Sequence, residues 1–380
     1  MSKLAVDLTY QPTGGTLTQI IEIIKNIDSY DFTKVVFYIT SDNINLFEGT
    51  NEKKIILKNV FFSNKSIIVR TIWAQIILPI SLILNRIDVL FCPGNISPII
   101  NSKKKAQWIG TIGPFENNFI SSFGWKEKIK LFITKYLMIF SSRTSDFVIF
   151  ESNYTRDLFV RKYKQKKEKS SVLHRGHHEF FKPVEKYHSK ILTENVYKEF
   201  ILIVSHLYPY KNIELFLETY FQLRLYERNL YVLIAGSISD EKYYKRLKLI
   251  VNQYGISKYV IFLGRVERED LRELYSQCKV FVFTSPFENF AATLVEAMSC
   301  SAPIVTTNTT AMPEACGNAA LYFSPDSVQE LSDCIMVYLN DEKTRLLYKE
   351  LAFLKSTEYE VYSDVDKKTN QLLRKLFLDK

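Results

Sequence analysis

In the run Pro286-Phe287-Glu288-Asn289-Phe290-Ala291-Ala292-Thr293-Leu294-Val295-Glu296-Ala297-Met298, two carboxylates stand eight residues apart. A strand is expected to end at Thr284 and a helix to begin close to Ala292, so the backbone N–H groups of Phe290 to Thr293 would point out of a helix N-terminus. Such a terminus carries unpaired donors and partial positive charge, and it binds phosphate. Glu288 in the loop and Glu296 in the first or second turn can then border one cleft at different depths. Two acids flanking a phosphate site suit the hydroxyls of a nucleotide sugar. The alternative is a solvated loop acid and a glutamate that only complements the helix dipole.

A second constellation is Ser205-His206-Leu207-Tyr208-Pro209-Tyr210-Lys211-Asn212. It follows a strand, and in an open α/β sheet the loops at the carboxyl ends of strands overlook the ligand crevice. Lys211 would bring positive charge to a diphosphate. His206 would donate a hydrogen bond or, if protonated, a second charge. Read locally, the same residues are a Lys and a His beside a helix capped by Asn212. A third group, Gln11-Pro12-Thr13-Gly14-Gly15-Thr16, precedes an expected helix Leu17 to Ile27. Adjacent glycines let the backbone approach a ligand closely. The run lacks the GxGxxG spacing, and no GK[ST] P-loop is present, which weighs against dehydrogenase and P-loop NTPase chemistry.

The elements that must position these residues are legible as apolar runs. Leu4 to Leu8, Val35 to Ile39, Asp88 to Phe91, Gln107 to Ile112, Phe147 to Phe150 and Ser171 to Leu173 read as buried parallel strands. After a charged link at Lys182 to Asn195 the series restarts with Phe200 to Val204, Tyr231 to Ala235, Val260 to Leu263, Val280 to Phe283 and Pro303 to Thr307. Helical patterns fall between, as at Asn212 to Leu225, Asp240 to Tyr254, Arg268 to Tyr275 and Thr293 to Ser299. Two doubly wound α/β domains follow, over 1–182 and 183–360, with a helix in 361–380 (Ser363 to Phe377) expected to cross back to the first domain. The chain's 380 residues and 47% hydrophobic content are enough for two cores. Five scattered cysteines, without CxxC pairs, exclude a disulfide framework or zinc site and point to a reducing, cytoplasmic compartment.

A formal net charge of +9 favours polyanionic partners. The stretch Ile67 to Asn85 is apolar but broken by Arg70, Gln75 and Pro79, a poor membrane span that reads as a buried helix. Lys126 to Arg143 places Lys126, Lys128, Lys130, Lys135 and Arg143 among Ile129, Phe132, Ile133, Tyr136, Leu137 and Phe140, a basic amphipathic pattern that fits an anionic membrane surface or a solvated face. Lys103, Lys104 and Lys105 are expected to be exposed. The run Arg161 to Lys169 has one aromatic, Tyr163, and looks like a solvated linker rather than a nucleic-acid surface.

Taken together, these motifs resemble the family-4 retaining glycosyltransferases, whose signature is two glutamates separated by seven residues in Ser-x-x-Glu-Gly-Phe-Gly followed by Glu-Ala-Met. The corresponding text is SPFENFAATLVEAMSCSAPIVTTNTTAMPEACGNAALYFSPDS, and SHLYPYKN, SNYTRDLF and SVLHRGHHEFFKP also match. The resemblance implies the GT-B fold, two Rossmann-like parallel-sheet domains facing a central cleft whose closure assembles the site. It implies that Lys211 binds the donor diphosphate and stabilises its developing charge, that Glu296 holds the ribose, and that Glu288 contacts donor-sugar hydroxyls. Phe290 and Ala291 would offer backbone donors beside Asn289 and Thr293, and Gly14 and Gly15 would face the donor phosphate. Transfer would retain configuration on one face without metal or cofactor, the leaving phosphate helping to deprotonate the acceptor.

Three departures from the family pattern stand out. His206 occupies the place of an arginine, Asn289 and Ala291 replace glycines, and the first domain's His-Asp pair is absent, Thr111 to Asn118 lying there instead. Glu116 or Asn117 is the candidate for the missing acceptor or sugar contact. The expected activity is transfer of a hexose-like sugar from a nucleoside diphosphate to a hydroxyl, the acceptor being a lipid-linked glycan at the cytoplasmic membrane face. The rivals are a nucleotide-sugar epimerase of the same fold and a non-catalytic nucleotide-sugar-binding module.

Overall fold

The computed structural model describes residues 2–10, 14–27, 30–47, 54–61, 67–101, 103–185, 189–193 and 199–378. Gln11, Pro12 and Thr13 of the glycine-containing turn, and part of the link at 182–195, lie outside the described residues. The chain divides into two compact units, Met1–Gly176 with Glu360–Lys380, and His177–Tyr359.

Unit 1 is built on seven parallel strands: β1 (Lys3–Leu8), β2 (Lys34–Ile39), β3 (Ile55–Asn59), β4 (Val89–Cys92), β5 (Lys104–Ile109), β6 (Phe147–Phe150) and β7 (Ser170–Val172), in the order β3-β2-β1-β4-β5-β6-β7. Its helices are α1 (Gly14–Lys25), α2 (Ile67–Ile72), α3 (Leu78–Leu84), α4 (Asn117–Ser121), α5 (Trp125–Thr144) and α6 (Asn153–Tyr163). Alternation along the strands gives each face its own core. Ile20, Ile23 and Ile24 of α1, with Ile27 just beyond it, pack with Leu4, Val6 and Leu8. On the opposite face Trp73, Ala74, Leu78 and Leu82 cover Ala5, Val36 and Leu90, and Met138 and Phe159 cover Ile109, Val148 and Phe150.

Unit 2 has six parallel strands, β8 (Phe200–Val204), β9 (Tyr231–Ala235), β10 (Val260–Gly264), β11 (Val280–Phe283), β12 (Ile304–Thr307) and β13 (Ala320–Phe323), in the order β10-β9-β8-β11-β12-β13. Its helices are α7 (Lys190–Thr193), α8 (Ile213–Gln222), α9 (Glu241–Gln253), α10 (Arg268–Gln277), α11 (Ala292–Ser299), α12 (Met312–Cys316), α13 (Val328–Asn340) and α14 (Glu342–Ser356). The strand order reverses direction between β8 and β11, the switch point at whose strand ends open α/β sheets bind ligands. Helix starts follow side-chain chemistry: Asp240 accepts from Tyr243 N at 2.9 Å and Ser327 from Glu330 N at 3.1 Å.

The last helix, α15 (Tyr362–Leu378), belongs to unit 1. Val365, Leu373 and Leu376 enter the same core as β1, and Tyr30 Oη donates to Asp366 Oδ1 at 2.6 Å.

Several expectations are corrected. β5 begins and ends earlier than Gln107 to Ile112, because Lys105 is buried: its ammonium reaches Pro98 O, and Thr144 Oγ1 at 2.9 Å. Lys105 is therefore not one of an exposed triplet. Ile67 to Asn85 is not one buried helix but α2, a π-helical turn (Trp73–Ile77) and α3, with an exposed outer face. Strands β3 and β13 were unforeseen, β3 because its burial pattern is mostly exposed and β13 because two of its four residues are only half-buried. Replacing Leu373 by Ala is expected to cost about 2–5 kcal/mol, read by urea unfolding, since it empties a fully buried site in the unit 1 core.

Candidate functional site

The loop after β8 is pinned from two sides. Leu207 N donates to Ser237 O at 2.9 Å, and Gly236 adopts φ +145 where any Cβ would lie 1.9 Å from Ser205 O. A glycine is required for that approach. Pro209–Lys211 then forms one 3-10 turn, and Asn212 takes the left-handed conformation at φ 52. Asn212 does not cap α8. Its amide donates to Pro325 O at 3.1 Å, and the first N–H of α8, on Ile213, goes instead to Tyr243 Oη at 2.9 Å. The left-handed residue turns the chain so that Lys211 points inward.

There Lys211 is buried, its ammonium ion-paired with Glu288 and lying 4.8 Å from the Tyr210 ring centroid and 5.4 Å from that of Phe283. Burial works against its charge, but Glu288 and Tyr210 outweigh burial and hold its pKa above the ordinary lysine value. The Tyr210 ring stacks on Phe287 at 5.1 Å, and Thr284 Oγ1 donates to Lys211 O at 2.6 Å, so the two loops form one block.

Threonines that the sequence reading did not single out hold Glu288 in place. Glu288 N donates to Thr310 Oγ1 at 3.0 Å, Thr309 Oγ1 to Pro286 O at 2.6 Å, and Thr307 Oγ1 to Ser285 O at 2.7 Å. The signal available was the run Thr306-Thr307-Asn308-Thr309-Thr310 at the end of an expected strand.

His206 sits beside this pair, its Nδ1 2.6 Å from Ser237 Oγ. Desolvation, then the positive charge of Lys211, lower its pKa below the usual imidazole value, with Glu288 opposing. At neutral pH it is thus a hydrogen-bonding group and not a second charge. α11 begins at Ala292 as expected, but the Ala292 N–H is turned back to Phe290 O at 3.2 Å and is removed from the anticipated phosphate donors. The side chains of Asn289, Phe290 and Ala291 are buried, and Thr293 is half-buried. Glu296 has Arg268 and Tyr275 as its electrostatic neighbours, and burial raises its pKa to about 7.

In unit 1, Gly14 and Gly15 lie inside α1 as its first two residues, a turn earlier than expected, so their N–H groups belong to the helix N-terminus. Glu116 and Asn117 stand at the start of α4, Asn117 exposed and Glu116 half-buried. Burial raises the Glu116 pKa, against the charges of Lys162 and Lys135, which places it among α5 and α6. Unforeseen here is a buried ion pair between Arg175 and Glu151, which also accepts from Trp108 Nε1 at 3.1 Å. Arg175 was within a quoted motif, but only folding brings Glu151 to it.

Residues 184–353 match the family model described as glycosyl transferases group 1. The match lies within the C-terminal unit and covers most of it. Lys211, Glu288 and Glu296 all fall within the group 1 match. Among relatives, the serotype-specific mannosyltransferase WbdA of Escherichia coli is 33% identical over 154 residues, 40% of this chain and 18% of WbdA. The O-antigen chain mannosyltransferase B of Escherichia coli is 32% identical over 149 residues, 38% of each chain. The chain thus spans well under half the length of these curated relatives. Across its whole length it resembles Anabaena Alr3699/HepE in complex with UDP and glucose, with TM-score 0.75 and 17% identity over 99% of this chain and 100% of that one. Solved glycosyltransferases share the architecture, and the fold is GT-B.

Two consequences can be measured on this C-terminal unit. Lys211→Met should destabilise the protein by about 3 kcal/mol at neutral pH by leaving Glu288 uncompensated, and adding Glu288→Gln should restore most of the loss. Glu296 keeps its proton to about pH 7 when folded but only to about 4.5 unfolded. Its contribution to stability therefore falls as pH rises from 4.5 to 7 and is level above. Glu296→Gln should gain on the parent in thermal melts across that window and hold a constant advantage beyond it.

Proposed function

We propose that the protein is a retaining, metal-independent glycosyltransferase of the family-4 type that moves a hexose-like sugar from a nucleoside diphosphate to a hydroxyl of a glycan. The observation that carries this reading is the buried Lys211–Glu288 pair at the carboxyl edge of the unit 2 sheet. A lysine ammonium has three donors, and here one carboxylate and two aromatic faces neighbour it. A diphosphate competes with Glu288 for the cation, and the displaced carboxylate is then free to accept from sugar hydroxyls. Lys211 would stabilise the negative charge that grows on the phosphate as its bond to the anomeric carbon breaks. The acceptor oxygen would bond to that carbon from the same face, its proton passing to the departing phosphate.

Glu296 is assigned to the ribose, with its proton state near neutrality letting it donate or accept. His206 is assigned a neutral hydrogen bond to the donor, and the α1 start at Gly14 and Gly15 a phosphate contact. Asn289, Phe290, Ala291 and Thr293 would line the sugar and phosphate, and Glu116 or Asn117 the acceptor. Among the described residues no three His, Cys, Asp or Glu side chains converge as metal ligands, and this reading gives the leaving-group charge to Lys211. The mannosyltransferase relatives favour a cell-surface polysaccharide such as O-antigen as the product, built on a lipid-linked acceptor at the cytoplasmic face of the membrane. The basic side of α5 supplies a peripheral contact there.

A panel of UDP-, GDP- and ADP-sugars with EDTA, read by thermal stabilisation and by product analysis with a glycan acceptor, tests the proposal. One nucleotide should stabilise the parent protein, and Lys211→Ala should lower kcat about 100- to 1,000-fold. Conversion of the donor alone to an isomeric nucleotide sugar would identify an epimerase instead. Binding without any turnover, unaltered by Lys211→Ala or Glu288→Gln, would identify a binding module.

A further inference from the structure

The segment from α2 through α3 packs Trp73, Ala74, Leu78 and Leu82 on the sheet and turns a second apolar side outward. Ile68 is 66% exposed, Ile76 57%, Ile80 54%, Ile83 55% and Leu84 78%. Its one charged residue, Arg70, is not on that side: it is half-buried, 5.2 Å over the Tyr10 ring, and interacts with Asp7. A continuous uncharged isoleucine surface of this kind marks an interaction site rather than ordinary solvent-facing structure.

α5 lies on the same layer. Cys92 of β4 pairs in register with Gln107 of β5, and Gln107 with Val148 of β6, so the core under α2–α3 and the core under α5 occupy one sheet face. α5 also presents exposed rings, Trp125 at 69% and Phe132 at 61%, beside Lys126, Lys128, Lys130 and Lys135. The acid on this helix, Glu127, is paired with Lys130 at 2.9 Å. A groove of about 410 Å³ between β3 and α2, lined by Val60, Phe61, Val69, Ile72, Trp73 and Ile77, adds further apolar surface to this layer. Among the described residues no helix is long and apolar enough to cross a membrane.

We propose that this layer is a composite membrane-docking face: α2–α3 inserts its isoleucines at the acyl boundary of an anionic bilayer while the α5 lysines lie among the headgroups. The inference rests on the peripheral contact proposed above for α5 and extends it to a second element that does the inserting. Apolar area alone would equally suit a second copy of the chain; the lysines flanking exposed aromatics are what select an anionic lipid surface.

The test uses the full-length protein with vesicles of phosphatidylcholine, with and without phosphatidylglycerol, at low and high salt. The parent should sediment with the anionic vesicles, and Ile76→Asp/Ile80→Asp should bind about 100-fold more weakly with an unchanged thermal melt. An Ile80→Trp variant should be quenched by brominated acyl chains beyond the quenching of the parent. Lys128→Glu/Lys130→Glu should weaken binding mainly at low salt. If the aspartate pair binds like the parent while the lysine reversal releases the protein, insertion through α2–α3 is wrong and the α5 contact stands. If the parent binds neither vesicle, both membrane readings fall. Dimerisation in vesicle-free buffer that the aspartate pair abolishes, with vesicle binding unaltered, overturns the proposal in favour of a self-interface.

Discussion

The rest of unit 2 is arranged around one ion pair taken out of water, that of Lys211 with Glu288. Burying a charge is costly unless it is paired and its remaining donors or acceptors are met. Here the cost is offset by a carboxylate, by the faces of Tyr210 and Phe283, and by loops that cannot drift apart. Gly236, left-handed Asn212 and the threonines of the β12–α12 connection are the means by which those loops are held. In the proposed reaction such a pair is preorganised for the donor diphosphate, because the cation is already desolvated and needs only to exchange one anionic neighbour for another.

The parallel sheet explains why the pair sits where it does. Six strands with helices on both faces leave only the strand ends open, and the order reverses between β8 and β11, the two strands whose following loops carry Lys211 and Glu288. Two residues 77 positions apart in sequence therefore meet at one edge. His206 joins them as a neutral group, since burial, and then the positive charge of Lys211, disfavour a proton on the imidazole. Where the family pattern has a permanent second charge, this chain has a hydrogen bond.

Unit 1 spends its apolar residues differently. Its two core layers are filled by one side of each helix, yet α2–α3 is apolar on its outer side as well, and α5 exposes aromatic rings among its lysines. A helix that is hydrophobic nearly all round is ordinarily buried, which is why the sequence reads Ile67 to Asn85 as interior. The π-helical turn and Pro79 divide the stretch into short pieces over the sheet, too short to bury both sides, and Ile68, Ile72, Ile76, Ile77, Ile80 and Ile83 all end outside.

The amino-acid sequence by itself determined the tandem α/β architecture, because buried parallel strands are short continuous apolar runs that need no partner to be recognised. It also singled out Lys211, Glu288 and Glu296 as candidates, since they stand in motifs at the ends of such runs. What only the tertiary structure decided were relations between distant parts. The pairing of Lys211 with Glu288, the threonine support beneath it, the burial of Lys105, the Arg175–Glu151 pair and the exposure of the isoleucine face are all of this kind. Periodicity reports which side of an element is apolar, but which sides are covered, and which charges meet, depends on neighbours hundreds of positions away in some cases, as for Tyr30 and Asp366.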